Sequence, residues 1–533
     1  KDGNNVEQSL LGLTDLPKSK KINFFTGILI VIGSSMGAGI FFKSQSVLES
    51  NNYSLFLAIF SWIIASLAIV LMGISLLDIS AKNKGNLSIV GWNHRFNTWM
   101  TYQMSKNFTL YINITLTYFF MPLYAIMSFQ DGARIFGFYN FNTQADWAIW
   151  TIIILVISAY FIVTSGLKAK LATIQNAITL GFKIFALVAT IIVGFSIFII
   201  EVKNGNKLDI HWFKKIEISD PTKPMSFSNI MPFGGLFISW AGIFFAYDGF
   251  YVSTGISNEL KDPKKTPKAL LIGLSVVTII HLIVALAMSL NGRGDFKEYS
   301  NFLSKNNLAW IYGLINLSIG IGVIGIINGF SLWIPRFIEE LIQMHDVPFY
   351  KKLVKKTNQS YPVVGVVYSL VLILPIVLIF CILGATLYYP KEDPSGYYQL
   401  YGSGMSSLYN FADLMSNWIS LLVFAFMAIA FFGAILESRR TPKKFSKRFK
   451  VVNIIVTLFL FVVVFVNFLY PIVDLILIIS QKNTLQEEIY QIAFRGRLLS
   501  FLTLILFLAI IILPPVFINV FKKKRSKIIK NNQ

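Results

Sequence analysis

Repeated apolar stretches, each long enough to cross a bilayer, are the feature of this sequence that most restricts its fold. Of the 533 residues, 55% are hydrophobic and only 14% are charged, whereas soluble proteins carry roughly 25% charged residues. A stretch of about 20 apolar residues spans a bilayer as a helix. A helix suits this setting because it satisfies its own backbone hydrogen-bonding groups where no water is present. We therefore predict an all-α polytopic membrane protein with twelve transmembrane helices, at about 24–49, 55–78, 98–130, 147–166, 171–201, 229–257, 268–290, 309–337, 361–386, 411–436, 451–479 and 498–520.

Lysine and arginine are shared unevenly between the two sets of alternating loops. The 47 basic residues, which give a net charge of +21, fall mostly in one set, and that set includes the tails 1–23 and 521–533. Because basic loops stay on the cytoplasmic side, we predict a cell (plasma) membrane protein with both termini in the cytoplasm and residues 202–228 as an extracellular loop. Basic residues in short loops explain the charge without nucleic acid as a partner, and the lipid bilayer is the expected surrounding.

The residue types that usually build metal sites and catalytic sites are scarce and scattered. Cys381 is the single cysteine, so the chain has no Cys-based metal site. The histidines show no metal-ligand spacing; they are His94, His211, His281 and His345. His281 lies inside a span, where we expect an ordinary hydrogen-bonded helix residue. Since no catalytic constellation is found, we predict a protein that is not an enzyme and that uses no metal and no cofactor.

The first span is interrupted near its middle by glycine and serine. Gly33, Gly37 and Gly39 fall within seven residues, and a glycine inside a helix costs about 0.5–1 kcal/mol relative to alanine. A break in hydrocarbon is tolerable only where protein or a bound molecule satisfies the free backbone groups. The glycines therefore indicate either close packing, since Gly33 and Gly37 form a GxxxG, or a substrate site at the membrane midplane.

The sixth span has a similar interruption in the middle of an apolar segment. Its residues are Phe245, Ala246, Tyr247, Asp248 and Gly249. An isolated charge such as that of Asp248 costs at least about 2.5–3.5 kcal/mol inside a membrane. We expect Asp248 either to favour substrates with a cationic side chain, to carry a proton, or to pair with a lysine.

The positions of the two interrupted spans indicate internal symmetry. Spans one and six correspond to each other if residues 24–201 and 229–436 form two repeats of five spans, followed by two C-terminal helices at 451–520. Two interrupted helices at corresponding places are a specific sequence indication of a transporter's binding site. The combination favours a midplane binding site over simple packing.

Polar residues in other spans are further candidates. In span three, Asn113 shares one helical face with Lys106, Thr109 and Thr117, because spacings of three and four residues return to the same side of a helix. This face can contact substrate or make interhelical hydrogen bonds. Span eight contains a GxGxxG at 320–325, but no βαβ unit surrounds it, so we interpret it as close packing of helices.

Several motifs in these spans resemble the amino acid–polyamine–organocation (APC) superfamily of permeases. The first break, at 33–41, resembles the family's G-x-x-x-G-[SA]-G-I-F signature, and 244–250 resembles its F-[FA]-[YF]-x-G-[FW] motif. Residues 259–269 are similar to its E-x-[KR]-[ND]-P-x-[KR]-x-x-P-x-A loop. The resemblance continues through Lys183 in span five and Asn328 in span eight, so it covers spans one to ten in order.

The resemblance implies a LeuT-type 5+5 inverted-repeat fold with discontinuous helices 1 and 6. It implies a secondary active transporter that moves an amino acid by alternating access. In the family, backbone amides corresponding to those at 37–39 bind the substrate carboxylate, and carbonyls corresponding to those of Ser35, Phe245 and Asp248 accept from the ammonium. The helix dipoles agree with both roles. The candidate substrate-binding residues are Ser35, Met36, Gly37, Ala38, Gly39, Phe245, Ala246, Tyr247, Asp248 and Gly249, with Asn113 and Asn328 as secondary candidates.

Lys183 is the candidate residue for coupling. It matches by motif and position a fifth-span lysine that lies, in many APC transporters, where sodium-driven relatives of the fold hold a sodium ion. Span eight has no hydroxyl at 332–335, and a hard cation needs oxygen ligands. We therefore expect sodium-independent transport, either proton-coupled or by exchange, with Lys183 bridging the first and eighth spans.

Two positions depart from the family pattern. Ala38 stands where a serine is frequent, and Ser44, preceded by Lys43, stands where a proline is frequent. We expect Lys43 to snorkel toward the outer surface, with the outer vestibule as the alternative. Two other functions stay open: a transporter of polyamines or other organic cations with the same fold, and a substrate-sensing receptor.

Overall fold

The computed structural model describes most of the chain, and the regular secondary structure in the described part is helical. The described residues are 23–37, 39–80, 87–138, 145–205, 212, 223–231, 233–247, 249–251, 265–291, 294, 296–388, 403–440, 445 and 447–531. In chain order the helices are α1 Phe24–Ser35, α2 Gly39–Ser50, α3 Leu55–Ser80, α4 Ile89–Phe96, α5 Trp99–Ile135, α6 Asp146–Leu167, α7 Ala169–Lys203, α8 Phe227–Ile230, α9 Gly234–Ala246, α10 Thr266–Ser289, α11 Lys297–Lys305, α12 Ala309–Gln343, α13 Tyr350–Leu353, α14 Val363–Leu387, α15 Ser403–Arg440, α16 Lys447–Ser480 and α17 Glu487–Asn531.

Among the described residues, ten helices are long and apolar enough to cross a membrane. They are α3, α5, α6, α7, α10, α12, α14, α15, α16 and α17. Helices α1 and α9 are apolar but shorter, with 12 and 13 residues. The predictions of an all-helical chain and of many spans are confirmed, while the count of twelve and the inverted repeat stay predictions.

Helix α5 lies at the centre of the bundle. Its side chains are buried almost without interruption from Phe108 to Ser128, and it packs against α12, α14, α15 and α6. Helices α16 and α17, in contrast, expose apolar side chains such as Leu458, Phe465 and Leu506. An apolar face that no protein covers is the surface a bilayer would cover, so α5 is the interior helix and α16 and α17 are peripheral.

The break in the first span is present where the sequence predicts it. Helix α1 ends at Ser35 and α2 begins at Gly39. A Cβ at Gly39 would lie 2.6 Å from Phe245 Cδ1 and 2.8 Å from Ala246 Cα, which leaves room only for glycine. The glycines that weaken the helix therefore also let it approach the end of α9. Helix α9 itself ends at Ala246, and residues 252–264, where span six would continue, lie outside the described residues.

Candidate functional site

The break between α1 and α2 and the end of α9 are joined by a backbone hydrogen bond. The Gly37 N–H donates to the Ala246 carbonyl at 3.0 Å, and it also lies 3.1 Å from the Ser35 carbonyl. A Cβ at Gly37 would lie 2.8 Å from the Ala246 carbonyl oxygen. Two broken helix ends thus satisfy part of each other's backbone inside an apolar bundle, as a membrane interior requires.

The structure brings the predicted substrate residues together around this contact. Ser35, Met36, Gly37 and Gly39 on one side and Phe245, Ala246 and Tyr247 on the other are all buried. Gly249 follows with a φ of 103°, a left-handed conformation that glycine adopts without strain. The remaining two candidates, Ala38 and Asp248, lie outside the described residues.

One of the predicted carboxylate-binding amides, that of Gly37, already has a protein acceptor. Its bond to Ala246 must be exchanged for a substrate oxygen if a carboxylate is to bind there. The Ser35 hydroxyl, in contrast, is buried without a hydrogen-bond partner in the described part of the chain. The contact between the breaks is therefore a place where polar groups are available but not fully satisfied.

Tyr247, the residue after α9, contacts two helices on the far side of the break. Its hydroxyl lies 2.7 Å from Ser66 Oγ of α3. Its ring packs edge-on against the His281 ring of α10, with the ring centroids 4.6 Å apart. His281 is fully buried, and neither ring nitrogen has a hydrogen-bond partner among the described residues. The expectation of an ordinary hydrogen-bonded histidine is wrong, because no helix carbonyl or side chain in the described ranges reaches it.

Lys183 of α7 bonds directly to the break. Its Nζ donates to the Met36 carbonyl at 2.7 Å, one residue beyond the end of α1. A helix C-terminus carries free carbonyls and a partial negative charge, so the ammonium stabilises the end of α1. Among the described residues no carboxylate pairs with Lys183, and the carbonyl at the break is the acceptor that holds this buried cation.

Glycine in α12 makes room for the Lys183 side chain. A Cβ at Gly322 would lie 3.2 Å from Lys183 Cβ. Gly325, one turn further, packs in the same way against Thr179. The last two glycines of the GxGxxG in span eight are thus in close contact with α7, and they place α12 against the lysine that bonds the first span.

Lys43 of α2 is the clearest difference from the sequence-based expectation. Its side chain is 0% exposed, and its Nζ lies 2.5 Å from Asp413 Oδ1 of α15 and 2.9 Å from Ser416 Oγ. The Tyr124 hydroxyl of α5 donates to the same Asp413 oxygen at 2.9 Å. The expectation that Lys43 snorkels outward is wrong, because a carboxylate 370 residues away compensates its charge inside the bundle.

Aromatic rings separate the Lys43–Asp413 pair from the break. Lys43 Nζ lies 5.0 Å from the Phe245 ring centroid, within cation–π distance. The Tyr124 ring is 5.8 Å from that of Phe245 and 4.5 Å from that of Phe42. Phe245 therefore contacts Gly39 on one side and this aromatic and charged cluster on the other.

The two secondary candidates have different surroundings. Asn328 accepts from Ser165 Oγ at 2.6 Å and donates to the Ala172 carbonyl at 2.8 Å, so it ties α12 to the junction of α6 and α7. Asn113 ends a π-helical segment of α5, Phe108–Asn113, and its buried Oδ1 has no partner within the described ranges. Since π-helical segments are frequent at functional sites, Asn113 keeps its place as a candidate.

Two other residues of the polar face of span three, Lys106 and Thr117, make hydrogen bonds within the protein. Lys106 donates to Gln103 Oε1 at 2.5 Å and to the Asp346 carbonyl at 2.8 Å. The Thr117 hydroxyl donates to the Asn113 carbonyl of its own helix. Within the described residues, no three His, Cys, Asp or Glu side chains are grouped so that they could hold a metal ion.

Known proteins match this chain along most of its length. The family model described as Amino acid permease matches residues 22–490, a range that includes both the first break and α9. A Mycoplasma pneumoniae protein described as uncharacterized is 39% identical, with 96% of each chain covered. The serine/threonine exchanger SteT of Bacillus subtilis is 23% identical over 63% of this chain and 70% of its own length. Among solved structures, a manganese transporter of Eremococcus coleocola covers 97% of both chains at 13% identity, with a TM-score of 0.47.

Proposed function

Because this chain belongs to the amino acid permease family, and is therefore a multi-pass membrane transporter and not an enzyme, we propose that it moves amino acids by alternating access. The observation that carries the proposal is the bond between the Gly37 amide and the Ala246 carbonyl, where two broken helix ends meet. We propose a cell (plasma) membrane location with both termini in the cytoplasm, in line with the distribution of basic residues.

The electrostatics of the two breaks suit an amino acid zwitterion. The start of α2 presents amide groups and a partial positive charge, which favour a carboxylate. The ends of α1 and α9 present carbonyls and a partial negative charge, which favour an ammonium. In this proposal the substrate carboxylate replaces the Ala246 carbonyl at the Gly37 amide, so substrate binding separates the two breaks.

Lys183 supports transport that does not use sodium. Its ammonium already donates a hydrogen bond to the Met36 carbonyl, and a sodium ion beside this ammonium would be repelled. SteT is an exchanger by name, so we propose exchange as the alternative to proton coupling. We propose that Lys183 serves as the fixed or protonatable cation of the site, and that the LeuT-type 5+5 repeat provides the rocking motion.

A binding screen and an uptake assay test the proposal together. Ligands that bind the native state raise the melting temperature, so purified protein is first screened by thermal shift against the twenty amino acids and two polyamines. Uptake of the strongest binder into proteoliposomes is then measured with sodium replaced by choline, with and without an inward proton gradient, and protein-free liposomes are the control.

The outcomes separate the alternatives. We expect binding of one or more amino acids and uptake in choline, with acceleration by the gradient selecting proton coupling over exchange. Strict sodium dependence would overturn the role given to Lys183. Binding of polyamines alone would favour the organic-cation transporter, and binding without flux would favour a receptor. Substitutions of Gly39 do not test substrate binding, because any side chain there would overlap Phe245 and Ala246 and disturb the fold of the break.

A further inference from the structure

His281 is buried in a way that costs stability. Its side chain is 0% exposed, and both Nδ1 and Nε2 are without a hydrogen-bond partner in the described part of the chain. A buried polar group left unpaired costs about 1–3 kcal/mol, and the great majority of such groups in folded proteins are paired. A buried histidine without hydrogen-bond partners calls for a functional explanation, because an apolar ring of similar size would fill the same space without this cost.

The position of His281 connects it with the substrate site. Its ring packs edge-on against Tyr247 at 4.6 Å, and Tyr247 directly follows the Ala246 carbonyl that bonds to the first break. The Tyr247 hydroxyl is already engaged with Ser66. Helix α10, which carries His281, packs against α1, α2, α3 and α7. A change in the contact between the two breaks would therefore displace Tyr247, and Tyr247 contacts His281 directly.

Among the described residues, few charged or titratable groups lie on the elements that pack against α10. Helix α7, which packs against α10, contributes Lys183, and the segment after α9 contributes Tyr247. Helix α1 has no titratable side chain, and the charged residue of α3, Asp78, lies twelve positions from Ser66, about 18 Å along the helix. On α2, Lys43 is paired with Asp413, and Glu49 lies at the far end. Asp248 lies outside the described residues.

Elementary electrostatics then relates proton binding at His281 to anion binding. Two positive charges in a low-dielectric interior repel strongly, so an imidazolium beside the Lys183 ammonium is unfavourable while the site holds no anion. A substrate carboxylate at the Gly37 amide lowers this repulsion, because it attracts both cations, provided that it lies closer to them than the substrate ammonium does. Proton binding and carboxylate binding therefore favour each other, and by linkage the effect is reciprocal.

We propose that His281 is a proton-binding residue of the substrate site, protonated when a carboxylate-bearing substrate binds at the break and deprotonated when the substrate leaves. The proposal rests on the amino acid transport proposed above, and it adds that the proton is held by His281 and not by Lys183 alone. One proton from water enters with the substrate, and no covalent bond changes.

Isothermal titration calorimetry measures the proposed proton directly. The full-length protein is titrated with the amino acid that gives the largest thermal shift, at several pH values between 5.5 and 8, in buffers of different ionisation enthalpy. We expect uptake of about one proton per bound amino acid, and an affinity that falls by at most roughly tenfold per pH unit as the pH rises. His281→Gln and His281→Phe should bind without proton uptake and with little pH dependence.

Two variants are needed because His281→Gln adds flexible polar atoms to a packed site, whereas His281→Phe keeps the ring against Tyr247. The matched control is His345→Gln, which replaces an exposed histidine and should retain the wild-type proton uptake.

A merely structural His281 would change affinity equally at every pH. Binding by the wild type without proton uptake, or unchanged uptake in both His281 variants, would overturn the inference and leave amino acid transport standing. Absence of any amino acid binding would overturn the proposed function and this inference with it.

Discussion

Two buried lysines lie near the first break, and they are stabilised in different ways. Lys43 follows the break, and Asp413, Ser416 and the Phe245 ring surround its ammonium. Lys183 contacts the break from α7, and within the described ranges its ammonium donates to one backbone carbonyl, that of Met36. The first lysine belongs to a neutral pair, whereas the second has no carboxylate partner in the described part of the chain and there adds positive charge to the site.

The difference assigns different tasks to the two lysines. A buried ion pair with additional hydrogen bonds holds elements together, and it is sensitive to the loss of either partner. A cation that donates to a helix-end carbonyl is less fully compensated than one paired with a carboxylate, so its energy responds more strongly to a charged group that binds nearby. We infer that Lys43 fastens α2 to α15 and that Lys183 senses the occupant of the break.

The largest effect is expected for Asp413→Asn. This change removes the charge that compensates Lys43, and breaking a buried pair on one side costs about 3–5 kcal/mol. Because Asp413 is 24% exposed, we expect the lower end, about 3 kcal/mol, in the free energy of unfolding in mixed micelles. The double variant Lys43→Met with Asp413→Asn is the control and should recover most of the loss. A single variant as stable as the wild type would show that Lys43 does not depend on the pair.

Lys183→Met should separate stability from transport. Methionine replaces the long side chain without a charge, and the loss of one hydrogen bond to a charged group costs about 1.5–3 kcal/mol, offset in part because a buried cation no longer has to be compensated. We expect the melting temperature to change by only a few degrees at most, and uptake into proteoliposomes to fall at least roughly 100-fold, or about 2.7 kcal/mol. Normal uptake by this variant would remove Lys183 from the mechanism.

Lys43→Met should cost less than Asp413→Asn. The change leaves Asp413 with the Tyr124 hydroxyl at 2.9 Å and with partial access to water, so no charge is stranded in the interior. We expect a loss of about 1.5 kcal/mol in the free energy of unfolding, measured beside the Asp413 variant under identical conditions. Equal losses in the two variants would mean that Asp413 is as poorly solvated as Lys43, contrary to its partial exposure.

Local sequence patterns predicted the parts of the fold that depend on short-range chemistry. Glycines at 33, 37 and 39 weaken a helix wherever they stand, so the end of α1 at Ser35 and the start of α2 at Gly39 follow from composition. Apolar runs likewise predicted the long helices, because the length needed to cross a bilayer does not depend on tertiary contacts.

Long-range pairings could not be predicted in the same way. Lys43 and Asp413 are 370 positions apart. A lone lysine near the end of a span is ordinarily able to snorkel, so the hydropathy of the sequence predicts an exposed Lys43 side chain. In the fold, the Asp413 carboxylate pairs with that side chain instead. His281 is the opposite case: helical histidines usually find a partner, and only the packing of α10 against Tyr247 shows that this one does not. Ala38 and Asp248 lie outside the described residues, so their predicted roles stay predictions.

The smallest effect concerns the room that α12 leaves for Lys183, and Gly322→Ala tests it. The added Cβ would lie 3.2 Å from Lys183 Cβ and 3.5 Å from its Cγ, so the lysine stem must move by a few tenths of an ångström, which lengthens its bond to the Met36 carbonyl. We expect uptake to fall by about two- to fivefold, which corresponds to roughly 0.4–1 kcal/mol. Gly329→Ala on the same helix is the matched control, since nothing lies within 4 Å of a Cβ there.

Both substitutions gain the helix preference of alanine over glycine, about 0.5–1 kcal/mol, and the difference between them isolates the contact with Lys183. Gly329→Ala should therefore be slightly more stable than the wild type and transport normally. If Gly322→Ala also transports normally, the break tolerates a displaced ammonium, and Lys183 acts through its charge and not through the geometry of its bond to Met36. That result would sharpen the contrast with Lys43, whose contribution depends on the close contact with Asp413.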